Sequence, residues 1–75
     1  MITILAFARY RTLLGFDRLE LPLPEPATLA QLLSDVSFQG LPEEALLAIN
    51  QTFVGRSAEL QDGDEVALMP PVSGG

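Results

Sequence analysis

The strongest periodic signal in this chain is a single helical stripe. Leu29, Leu32, Leu33 and Val36 recur at i, i+3, i+4 and i+7, the spacing that lines one side of an amphipathic helix. Thr28 stands at the N-cap position and Gln31 follows three residues later, which fits a capping box. Gly40 and Pro42 close the segment. Around it the pattern is one of short runs with turn residues between them, so the stripe must be buried against a sheet. The expected architecture is an α+β domain, one main helix packed on one mixed sheet.

The first run, Ile2 to Ala8, has the composition of a strand. Parity puts Ile2, Ile4, Ala6 and Ala8 on one side and Thr3, Leu5 and Phe7 on the other. Both sides are largely apolar, so either the strand is covered twice or one face is a sticky outer surface. Arg9 to Leu14 reads as a short helical turn stopped by Gly15 in the left-handed region. Arg18 to Pro22 reads as a second strand, ended by Pro22, Pro24 and Pro26. Beyond the main helix, Pro42, Glu43 and Glu44 suit the first turn of a further short helix. Leu46–Ile49 and Thr52–Val54 are two short strands joined by a tight turn at Asn50-Gln51. Asp62-Gly63-Asp64 marks another turn, and Glu65 to Met69 is the last strand.

Composition narrows the chemistry. The chain holds no cysteine, histidine or lysine: its four cations are all arginine, against ten carboxylates, for a net charge of −6. A disulfide is excluded and a structural zinc site is not expected. The acidic balance repels nucleic-acid phosphates, so no nucleic-acid partner is expected, and a partner with a basic surface is favoured. No apolar run approaches the roughly 20 residues needed to cross a bilayer, so no membrane role is expected and the cytoplasm is the expected location. General acid–base and nucleophilic catalysis mostly call on residue types that are missing here. Asp62, Asp64 and Glu65 cluster, but a solvated turn accounts for them. Such a chain can contribute a carboxylate, a shape and an interface.

The carboxylate stands at the end of Met69-Pro70-Pro71-Val72-Ser73-Gly74-Gly75. Two prolines stiffen the backbone after the last strand. Two glycines without a Cβ then let a terminal carboxylate enter a narrow channel and approach a reactive centre. Residues 1–69 are therefore expected to form the domain and residues 70–75 a flexible tail.

Phe7-Ala8-x-x-Arg11, Gly15, Asn50-Gln51, Asp62-Gly63-Asp64-Glu65-Val66 and Pro70-Pro71-Val72-Ser73-Gly74-Gly75 together resemble the small subunit of molybdopterin synthase, the MoaD family, over nearly the whole length. The resemblance implies a β-grasp, ubiquitin-like fold. It implies that Gly75 is adenylated by an activating enzyme using ATP, then sulfurated with the help of a sulfurtransferase to a thiocarboxylate. The large synthase subunit, expected in a heterotetramer, then takes in the tail and passes the sulfur to cyclic pyranopterin monophosphate. The chain itself would be a non-catalytic sulfur donor that binds no cofactor. The segment between the main helix and Asn50 is short for the family, which bears on a partner contact there.

The candidate site is Gly75 as the sulfur-bearing terminus and Gly74 for access. The expected partner interface is Leu5, Phe7, Arg11, Phe53, Met69, Pro70, Pro71 and Val72. Its apolar members follow from registering Ile2, Ile4, Val66 and Leu68 against the helix, which leaves Leu5, Phe7, Ala67 and Met69 on the opposite side, with Phe53 beside them. Arg11 would otherwise be a solvated surface cation, worth about 0–1 kcal/mol in a weak ion pair, and its interface role comes from the family pattern. Tyr10 is assigned to core or rim packing. Other carriers with this tail act in thiamine thiazole synthesis and tRNA thiolation; a protein modifier and a plain ubiquitin-like interaction module complete the alternatives.

Overall fold

The computed structural model describes residues 1–71. Five strands, β1 (Ile2–Ala6), β2 (Arg18–Leu21), β3 (Leu46–Ile49), β4 (Thr52–Val54) and β5 (Glu65–Met69), form one sheet in the order β2-β1-β5-β3-β4. The first and last strands lie side by side in its centre and run parallel, Ile4 beside Val66 and Ala6 beside Leu68. The other neighbours are antiparallel. A short helix α1 (Arg9–Leu14) joins β1 to β2, and α2 (Leu29–Leu33) crosses between β2 and β3.

Parity decides the core. Ile2, Ile4, Ala6, Val66 and Leu68 all point to the face covered by Leu29, Leu32 and Phe38, and all are buried. Tyr10 from α1 is fully buried in the same cluster, while the guanidinium of Arg9 lies 5.6 Å from its ring centroid. Gly15 closes α1 with φ 84°, the left-handed conformation that a residue with a Cβ resists, and its N–H donates to Arg11 O.

Three expectations need correction. The helical stripe ends early: α2 stops at Leu33, where the Ser34 hydroxyl donates to Gln31 O at 2.6 Å. Asp35 then turns to extended backbone (φ −65°, ψ 148°) and caps a separate 3-10 turn, Val36–Phe38. Val36 is thereby rotated to solvent at 73% exposure, and Phe38 takes the core position. The Thr28 cap stands, with its hydroxyl accepting from Gln31 N at 3.1 Å. Second, Pro42–Glu44 forms no helix; Ala45 N–H donates to Pro42 O in one turn and β3 begins at once. Third, Ala8 is no continuation of β1: its φ of 54° swings the chain away from the sheet into α1.

Candidate functional site: the outer face of the sheet

The face of the sheet turned away from α2 is built on one transverse row. Leu5 of β1 sits beside Ala67 of β5, Ala67 beside Ala48 of β3, and Ala48 beside Phe53 of β4. Two alanines in the middle and large side chains at the ends make a hollow by subtraction of volume. Phe7 and Met69 rise on the side toward which β1 and β5 run, and Gln51 and Glu65 line the other. The hollow encloses about 420 Å³. Phe7 is 43% exposed and Phe53 67%, whereas Leu5, Ala67 and Met69 are half-buried by their neighbours.

The structure therefore brings Leu5, Phe7, Phe53 and Met69 together, as parity predicts. Pro70 and Pro71 follow directly from Met69, half-buried and outside the strand. Arg11 is not part of this hollow. It is exposed on α1, where its Nε donates to Ala8 O at 3.4 Å, and it borders a separate depression with Thr12, Phe16 and Asp17. Val72, Gly74 and Gly75 lie outside the described residues. Ala48 was missed by sequence reasoning, although the same parity that puts Leu47 in the core places Ala48 on the outer face; its small side chain gave no sign that it forms a floor.

The remaining motif residues are structural. Asn50 (φ 50°) and Gln51 (φ 70°) take the two left-handed positions of the β3–β4 turn. The Asn50 amide then donates to Asp64 Oδ1 at 2.9 Å and its carbonyl accepts from Glu65 N at 3.0 Å. Asp64 also accepts from Gln61 N, and its backbone carbonyl accepts from Thr3 N at 3.1 Å. This network fixes the entry of β5 against β1 and β3, which sets where β5 ends at Met69.

A five-stranded mixed sheet with parallel terminal strands in its centre and a crossing helix defines a β-grasp, ubiquitin-like protein. The ThiS family model matches residues 4–75, and the chain belongs to that family. Among curated proteins it is similar to the molybdopterin synthase sulfur carrier subunit of Escherichia coli (strain K12), 42% identical with all of both chains covered. That of Arabidopsis thaliana is 38% identical over 99% of this chain and 82% of the relative. Among solved structures, a Pyrococcus furiosus protein provisionally named molybdopterin converting factor subunit 1 superimposes with a TM-score of 0.77 at 32% identity, covering 95% of this chain and 97% of its own.

Proposed function

We propose that this chain is the sulfur-carrying small subunit of a molybdopterin synthase, and that its Gly75 carboxylate is the group that is adenylated, sulfurated and emptied. The observation that carries this reading is the continuity of the apolar hollow with the tail: β5 supplies Ala67 and Met69 to the hollow and passes straight into Pro70 and Pro71. A partner that covers Leu5, Phe7, Phe53 and Met69 is thereby brought next to the start of the tail. The names of the relatives place them as subunits, and here the large synthase subunit is the partner that receives the tail.

The division of labour follows from composition. A carboxylate resists sulfur nucleophiles because attack must sacrifice its resonance and expel oxide. An activating enzyme supplies the missing leaving group from ATP, after which sulfur replaces one oxygen. With no histidine, cysteine or lysine, this chain lacks the groups most often used for either step. Catalytic groups and the pterin site belong to partners; this subunit contributes a positioned acyl carbon. Gly74 and Gly75 leave the backbone bare where a partner's cleft must close on it.

Positioning dominates such transfers, and a misplacement of one angstrom costs about a hundredfold. Deleting Gly75 is expected to abolish sulfur transfer to the pterin and to leave the circular dichroism spectrum unchanged. Intact mass after incubation with activating enzyme, ATP and a sulfur donor should show one oxygen exchanged for sulfur in the wild type alone. Normal pterin sulfuration by the shortened chain would overturn the assignment.

A further inference from the structure

The side chains of this chain carry two sulfur atoms, and these stand at opposite ends of the central strand pair. Cysteine is absent, so both are thioethers, Met1 and Met69. Met1 precedes β1 and is 56% exposed, and its carbonyl accepts from Gly63 N in the turn before β5. Met69 ends β5, half-buried, on the wall of the hollow with Leu5, Phe7 and Ala67. Its register partner on β3 is Leu46. These neighbours all have hydrocarbon side chains. The polar members of the rim, Gln51 and Glu65, belong to the other end of the hollow. Glu65 opens the strand that Met69 ends, roughly 13 Å away along the backbone.

We propose that Met69 is a peroxide-sensitive modification site, and that its conversion to the sulfoxide closes the outer face to the large subunit. The proposal rests on the carrier reading above. Few side chains compete for the oxidant: histidine, cysteine and tryptophan are absent, and Tyr10 is fully buried. Leucine or phenylalanine at position 69 would wall the hollow as well, without this chemistry. In the step itself, a sulfur lone pair attacks one oxygen of the peroxide. An S–O bond forms as the O–O bond breaks, and the departing hydroxide takes the proton from the new S–OH group and leaves as water. Sulfur is oxidised by two electrons, the peroxide is reduced by two, and the chain gains one oxygen. The product side chain is polar and a strong acceptor. In the free subunit water solvates it, and the fold is spared because the neighbouring Leu68, not Met69, is the core residue. On docking that water is expelled, and Leu5, Phe7, Leu46 and Ala67 have no side-chain donor to replace it. An acceptor buried without a partner opposes association. Thiol-dependent sulfoxide reductases reverse the oxidation, so the closed face reopens.

The test uses the full chain before sulfuration, so that no terminal sulfur competes. It is treated with hydrogen peroxide, freed of oxidant and mapped by peptide mass, then titrated calorimetrically against the large subunit. Wild type oxidised at Met69 should bind at least about tenfold more weakly than untreated wild type, with an unchanged melting curve. Methionine sulfoxide reductase and a dithiol should restore the affinity. Met69→Leu separates the two sulfurs, because its Met1 still oxidises. Whatever affinity this variant has before treatment, it should keep afterwards. Unchanged binding by wild type oxidised at Met69, an equal loss in Met69→Leu, a lowered melting curve, or resistance of Met69 under conditions that oxidise Met1 would each overturn the proposal and leave the carrier reading standing. Failure of the untreated wild type to bind the large subunit would strike the carrier reading and this proposal with it.

Discussion

The two faces of this sheet are made by the same strands from the same kinds of residue, yet they have opposite fates. On one face Ile2, Ile4, Val66 and Leu68 are fully buried beneath α2 and the 3-10 turn. On the other, Leu5, Phe7, Phe53, Ala67 and Met69 surround an open hollow. Neighbours on β5 carry the contrast: Leu68 faces in and Met69 faces out. Hydrophobicity alone therefore says little about which apolar residues hold this fold together. What separates the faces is cover, supplied by the segment Thr28–Phe38 together with Tyr10 of α1 and Leu60.

The largest expected effect tests that contrast within a single strand. Leu68→Ala should cost about 2–5 kcal/mol, because it removes methyl groups from a packed interior and leaves a cavity. A domain this small has little stability to spare, so its urea midpoint should fall steeply or the chain should fail to fold. Met69→Ala, one residue on, should cost about 1 kcal/mol or less and move the midpoint little. Equal losses at the two positions would show that the outer face is also core.

The next effect is on association. Phe7→Asp places a charge on the rim of the hollow, where it remains hydrated in the free subunit and must be desolvated on docking. Binding to the large subunit should weaken by about 2 kcal/mol or more, roughly thirtyfold, with the thermal midpoint of the isolated chain nearly unchanged. Calorimetric titration measures the first and a melting curve the second. A folded variant that binds normally would remove the outer face from the interface.

These two faces were legible in the sequence because strand parity is a rigid code. Ile2 and Leu5 differ by three positions and cannot share a side. Turns were equally legible where backbone chemistry leaves few options: Gly15 at φ 84° and Asn50-Gln51 in left-handed positions. The cover was harder to read. A helical stripe from Leu29 to Val36 is a pattern of apolar residues, and it says nothing about Ser34 and Asp35, whose side chains compete with the helix for backbone groups. Local hydrogen bonding won, the helix ended, and Phe38 in place of Val36 closed the core. The same limit hid the hollow: sequence shows the large residues that line it, whereas its depth comes from Ala48 and Ala67 standing side by side across two strands. The expected division at residue 69 marks the end of β5, and the tail residues Val72 to Gly75 lie outside the described structure.

The smallest effect concerns the cover itself. Asp35 is exposed, and its Oδ2 accepts from the backbone N–H of Ser37 at 2.9 Å. That bond, helped by the Ser37 side chain and slightly opposed by desolvation, holds the Asp35 carboxyl below its ordinary value of 3.8. The turn it caps carries Phe38 into the interior, edge-on to Phe16 at 6.1 Å between ring centroids. Since the folded pKa is the lower one, the carboxylate's contribution is fully present above pH 3.8 and is lost as pH falls through the folded value. Asp35→Asn keeps a capping oxygen and removes the titration. Urea midpoints measured from neutral pH downward should therefore fall less steeply below about pH 4 in the variant than in the wild type. Matching acid profiles would mean that the 3-10 turn stays closed without the charge, and that packing of Phe38 alone holds the cover over the inner face.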